Sequence, residues 1–191
     1  MNNRKLILAA FILVALAQLY VPAKMILDRE NVLTNGIEFK FRTAPIDPND
    51  PFRGKYINLQ YENSLTEIQS EEDWLSGEVI YVILTKDTHG FATITSVSKT
   101  KPSDEFSFVK AKVRFMSTDR TLAFDYPFDR YYMEESKAYE AEQVYRESLP
   151  DSTQVAYALV KIKDGEAVLK DVLINGVSIR DIVSSERKEI K

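Results

Sequence analysis

Val155–Ile179 reads VAYALVKIKDGEAVLKDVLINGVSI, and this stretch decides the fold. Val155–Lys163 and Ala167–Ile174 are two strand-like runs rich in valine, leucine and isoleucine, separated by Asp164-Gly165. Asn175-Gly176 then leads into Val177-Ser178-Ile179. Asp-Gly and Asn-Gly between apolar runs are the strongest short-range signals of a β-hairpin, because both favour the positive backbone angles that tight turns need. The stretch therefore predicts consecutive antiparallel strands and a mainly β protein.

Working outward, Ile37-Glu38-Phe39-Lys40-Phe41-Arg42-Thr43 alternates apolar and charged residues, the period of a half-buried strand. Tyr56–Tyr61 alternates in the same way and predicts the next strand. Glu78–Lys86 and Phe91–Val97 flank the turn Asp87-Thr88-His89-Gly90. Phe106–Met116 and Leu122–Tyr126 flank Ser117–Arg120, and Pro127 ends that pattern. Two helical readings interrupt the strands. Ser70 is placed to cap a short helix running to Trp74, and Glu134–Ser148 has helix-forming composition up to Pro150. The expected architecture is an antiparallel β-sandwich or partly open barrel with one helix in the C-terminal half. The charged tail, Ser184–Lys191, is expected to fray.

The N-terminus has a different grammar. Arg4 and Lys5 precede Leu6–Leu27, a nearly continuous apolar run whose polar members are Gln18 and, near its end, Lys24. A spanning helix needs roughly 20 residues. The run reaches that length if Lys24 extends its ammonium toward the headgroups, and Pro22 is tolerable near a helix end. The bias of Arg4 and Lys5 places the N-terminus inside the cytoplasmic membrane and the rest of the chain outside it. A competing reading takes Ala15-Leu16-Ala17 as a signal-peptide cleavage site. Apolar sequence continues beyond it through Leu19-Tyr20-Val21, which favours a retained anchor. The expected division is residues 1–5 inside, 6–27 spanning, 28–36 a polar helical turn or linker ended by Asn35-Gly36, 37–183 an extracytoplasmic β-rich domain, and 184–191 the tail.

Composition narrows function mainly by exclusion. With no cysteine, thiol nucleophiles, disulfides and thiolate metal sites are absent. The single histidine, His89, falls in a turn, so neither a multi-histidine metal site nor a serine triad is expected. A net charge of -4 argues against nucleic acid as a partner. No cofactor is expected.

Two segments carry residues with the look of a site. In Asp47–Tyr61, Pro48 and Pro51 stiffen a loop that Gly54 allows to turn, and Arg53 is presented at the mouth of a strand. Arg53 can bind a carboxylate in two-pronged fashion, or close an ion pair within its own loop with Asp47 or Asp50. Tyr56 and Leu59 fall on opposite faces of the strand, and Leu59 and Tyr61 share one. The second segment, Phe128–Glu135, leads aromatics and Arg130, Tyr131 and Tyr132 into Glu134 and Glu135, which suit the positive end of a helix.

The first segment resembles the signature of the GDYXXLXY protein family. Gly54, Tyr56, Leu59 and Tyr61 stand at its named positions, and Lys55 replaces the family's aspartate with the opposite charge. Pro45, Asp47-Pro48 and Phe52-Arg53 resemble the family's loop before the motif. Asp129–Tyr132 with Glu134 or Glu135, and Asp164–Ala167, resemble later blocks. The resemblance implies an exported, membrane-anchored domain that accompanies multi-pass membrane proteins, and it brings no reaction with it. The expected function is a binding or assembly module beside an integral membrane partner. The alternatives are an envelope hydrolase using Asp129, Glu134 or Glu135, and a carrier or sensor for a small envelope ligand. In every version the chain touches the bilayer through Leu6–Leu27.

Overall fold

The computed structural model describes residues 3–44, 56–68, 73–132, 141, 144 and 155–189. A single helix, α1 (Asn3–Asn35), enters an antiparallel β body. Twelve strands follow among the described residues: β1 (Ile37–Ala44), β2 (Tyr56–Asn58), β3 (Gln60–Tyr61), β4 (Leu65–Glu67), β5 (Val79–Lys86), β6 (Ala92–Ser98), β7 (Ser107–Met116), β8 (Thr121–Asp125), β9 (Arg130–Tyr132), β10 (Ala156–Lys163), β11 (Glu166–Ile174) and β12 (Val177–Ser178). Helix α2 (Ile179–Glu189) closes the described chain.

One five-stranded sheet has the order β12-β11-β10-β1-β3, a second has β4-β8-β7-β5-β6, and β2-β9 forms a separate ribbon. The two larger sheets join at their margins. Lys40 of β1 bridges Phe91 beside β6, with Lys40 N–H donating to Gly90 O at 3.2 Å. On the far side Val109 of β7 bridges Gly165 in the β10–β11 turn, and Lys110 N–H donates to Gly165 O at 3.0 Å. The body is thus a nearly closed barrel, the barrel form of the two expected architectures.

Alternation explains the core. Phe39 and Phe41 of β1 point inward to meet Ile80 and Val82 of β5, Val109 of β7, Phe124 of β8 and Val160 of β10, all buried. Glu38 and Lys40, on the outer face, bond to Lys170 and to the His89 carbonyl instead. Both predicted tight turns form. Asp164-Gly165 and Asn175-Gly176 each hold two consecutive positive φ angles, the signature of a type I′ turn. Gly165 is further constrained, because a Cβ there would lie 2.7 Å from the Phe108 ring.

Helix α1 changes character along its length. Every large apolar side chain from Leu6 to Leu27 is exposed. The last turns dock on the barrel: Val32 is buried, Arg29 Nη1 donates to Ala167 O at 2.9 Å, and Lys163 Nζ donates to Asn31 Oδ1 at 3.0 Å. Of the two expectations for this segment, a helical turn or a linker, the helical one holds, and the helix is continuous to Asn35. Gly36 stops it, accepting no side chain because a Cβ would sit 2.4 Å from the Val32 carbonyl.

Three local expectations are corrected. Tyr56–Tyr61 is not one strand but two, divided at Leu59, whose N–H donates to Asp129 O at 2.7 Å. The chain passes there from the β2–β9 ribbon to the edge of β1. Ile179 leaves the sheet and starts α2, and the tail expected to fray is helical through Glu189. Ile179, Ile182 and Val183 lie at helical spacing, and Ile179 and Val183 are fully buried. The helix expected over Glu134–Ser148 falls largely outside the described residues, within which Ala141 and Val144 are helical and Ala141 is buried. Ser70 also lies outside them. Trp74 is buried in irregular chain after that segment.

Candidate functional site

The β2–β9 ribbon brings the two singled-out segments together. Tyr56 pairs with Tyr132, Ile57 with Tyr131 and Asn58 with Arg130. Because side chains alternate along each strand, paired residues share a face and successive pairs take opposite faces. Ile57 and Tyr131 point inward and are 1% and 2% exposed. Tyr56, Tyr132 and Arg130 point outward, and Tyr132 is 60% exposed.

The inward face of the motif is part of the core. Leu59 and Tyr61 are buried, as their spacing predicts. Tyr61 lies within an aromatic cluster with Phe41, Tyr126 and Phe128, at ring-centroid distances of 5.7, 5.7 and 5.2 Å. Tyr126 stacks on Phe128 at 4.9 Å, and Phe41 meets Phe128 edge-on at 5.0 Å. Such ring pairs add about 0.5–1.5 kcal/mol each beyond their burial. Their hydroxyls are satisfied by backbone. Tyr61 OH donates to Phe128 O at 2.7 Å, and Tyr126 OH donates to Asn63 O at 2.9 Å. Burial holds the Tyr126 hydroxyl far above the usual tyrosine range.

Tyr131 ties this face to the C-terminal elements. Its hydroxyl donates to Asp171 Oδ1 at 2.7 Å, and the same oxygen accepts from Val172 N–H at 2.8 Å and Ser178 Oγ at 3.1 Å. Arg180 covers the Tyr131 ring at 5.1 Å. Burial first, and the Asp171 carboxylate second, raise the Tyr131 hydroxyl well above its ordinary value. Sequence reasoning passed over Asp171. It follows Lys170 within β11, beside a register shift between Leu159 and Val160 in the partner strand.

The outward face is a small tile of aromatic and cationic groups. The Tyr56 and Tyr132 rings lie 5.4 Å apart, and the Arg130 guanidinium sits 5.2 Å from the Tyr56 ring. Arg130 also approaches Asp129 Oδ1 at 4.0 Å. Its pKa is raised, first by the Tyr132 hydroxyl and then by Tyr56 and Asp129. Tyrosine and arginine held by mutual stacking lose little side-chain freedom when a partner arrives, so they suit an interface anchor.

Of the residues singled out in the sequence, the structure places Tyr56, Leu59, Tyr61, Arg130 and Tyr132 on or beside one ribbon. Asp47, Arg53, Gly54, Glu134 and Glu135 lie outside the described residues, as does any pairing of Arg53 with a carboxylate. His89 is an exposed turn residue whose N–H donates to Asp87 Oδ1 at 2.8 Å. A cleft of about 170 Å³ opens beside the motif, lined by Leu59, Tyr61, Arg114, Asp125, Tyr126 and Asp129 among others. Arg114 neutralises Asp125 through a direct ion pair, so the two carboxylates there are not a matched acid–base couple. Among the described residues, no group of three or more carboxylates and imidazoles converges in a way that can hold a metal ion.

A family model described as GDYXXLXY protein matches residues 18–172. No curated protein and no solved structure matches the chain.

Proposed function

Because the chain belongs to the GDYXXLXY protein family, we propose that it is a membrane-anchored binding or assembly module whose barrel lies outside the cytoplasmic membrane and docks on an integral membrane partner. The outward-facing Tyr56–Arg130–Tyr132 tile, with Arg130 and Tyr132 exposed and Tyr56 half-buried, carries this reading. It is built on a two-stranded ribbon whose opposite face, Ile57 and Tyr131, is locked into the core. A rigid aromatic and arginine patch of this kind offers contact area at low entropic cost. The helix Asn3–Asn35, long and apolar enough to cross a membrane, supplies the anchor, and Arg4 and Lys5 set its N-terminus inside. The docked last turns of α1 hold the barrel at a fixed height, which favours a partner that itself projects from the bilayer.

Among the described residues, the cleft beside the motif favours neither rival reading. The cleft beside the motif falls below the roughly 300 Å³ at which ligand pockets begin. Its carboxylate Asp125 is already paired with Arg114.

The test is affinity purification of the intact protein from gently solubilised membranes, followed by mass spectrometry. The wild type should retain one stoichiometric membrane protein, and Arg130→Ala with Tyr132→Ala should lose it. Purification of a monodisperse wild type without any second membrane protein would overturn the reading.

A further inference from the structure

Gln18 stands alone in the middle of the apolar half of α1. It is nine residues, about 13 Å, from Leu27 and twelve residues, about 18 Å, from Leu6. In a spanning helix that position is close to the bilayer midplane. Among the described residues its side-chain amide has no hydrogen-bond partner, and the side chain is exposed on the helix surface. The backbone adds a second polar group at the same residue. Pro22 has no N–H, so the Gln18 carbonyl cannot receive the helical bond that the fourth residue onward normally gives. Hydrocarbon offers neither group a partner, whereas another helix does.

The face to which Gln18 belongs is apolar apart from that amide. Phe11, Val14, Gln18, Val21 and Met25 are spaced three and four residues apart and lie on one face. Leu13, Leu16 and Tyr20 lie on the opposite one. A primary amide is at once donor and acceptor, so it is complementary to its own copy across a two-fold axis. Two chains inserted in the same orientation place their Gln18 residues at the same depth.

We propose that α1 pairs in the membrane with α1 of a second copy of this chain, along the Phe11–Val14–Gln18–Val21–Met25 face, with the two Gln18 amides bonded across the axis. The inference rests on the reading of α1 as a retained anchor. It adds a homodimer to the module that docks on the integral membrane partner.

The chain lacks cysteine, so single cysteines can be scanned without background. Full-length variants carrying one cysteine at residue 11, 14, 21 or 25, or at residue 13, 16 or 20, are oxidised in native membranes and run on non-reducing gels. Part of each sample is extracted with alkaline carbonate. The expected result is a dimer band at twice the 21.9 kDa monomer for the first set and not for the second. Gln18→Leu in the Val14→Cys background should lower its yield roughly threefold to tenfold, and Gln18→Asn should restore most of it. Membrane-retained protein that cross-links equally on both faces, not at all, or only to a different protein would overturn the dimer and leave the anchor standing. Release of the chain by carbonate would overturn both.

Discussion

The tyrosines of the ribbon and those behind it do opposite work. Tyr61, Tyr126 and Tyr131 are buried, each with its hydroxyl bonded to a named acceptor at 2.7–2.9 Å. Tyr56 and Tyr132 face outward and stack with Arg130. Within Tyr56–Tyr61 and Arg130–Tyr132 the difference follows strand parity, and Tyr126 joins the buried set from just beyond β8. One motif therefore contains a folding face and a presenting face, and a substitution should report on one or the other.

The largest effect belongs to the inner face. Tyr61→Ala should cost about 3–5 kcal/mol, the range for large aromatic truncations in cores. Urea denaturation of the intact protein in detergent checks this, and a loss below 1 kcal/mol would erase the distinction between the faces. Gly165→Ala should cost about 2 kcal/mol, because the new methyl meets the Phe108 ring at a positive φ. That variant probes the Val109–Gly165 seam of the barrel by the same denaturation curve.

The inner hydroxyls also make a pH prediction. Tyr126 and Tyr131 both have raised pKa values, so the folded state favours the neutral phenol. Their stabilisation is intact below the ordinary tyrosine value of about 10 and drains above it, where the unfolded chain ionises first. Melting temperature should fall as pH rises past that point. Tyr126→Phe should flatten the fall, at a cost of about 1 kcal/mol at neutral pH from the lost bond to Asn63. An identical alkaline slope in the variant would show that Tyr126 is not the group responsible.

The smallest effect on stability belongs to the outer face. Arg130→Ala and Tyr132→Ala should each stay within about 0.5 kcal/mol of wild type, as exposed substitutions do.

Much of this division was legible in the sequence. Alternation placed Leu59 and Tyr61 on one face and Tyr56 on the other, and the Asp-Gly and Asn-Gly turns located the C-terminal hairpins. What alternation cannot specify is the neighbour. The switch at Leu59 from β9 to the edge of β1 depends on Asp129 O, far away in the sequence, and no local pattern encodes it. Asp171 was missed for a similar reason. Its acceptance of the Tyr131 and Ser178 hydroxyls exists only once three elements meet. Helix α2 was legible but overlooked. Ile179, Ile182 and Val183 carry a helical period, masked by the charged residues around them. A helical reading of Asp28–Asn35 was open in the sequence, but its docking on the β10–β11 hairpin through Arg29 and Asn31 is tertiary and was not. The loop side of the site, from Asp47 to Gly54, lies outside the described residues, so Arg53 enters the account only through its sequence.

The most direct test of the two-faced motif pairs stability with partner retention in one preparation of the Arg130→Ala, Tyr132→Ala double variant. The account predicts a denaturation midpoint indistinguishable from wild type together with loss of the co-purifying membrane protein. Full retention of that partner by the stable double variant, or a midpoint lowered as far as in Tyr61→Ala, would contradict it.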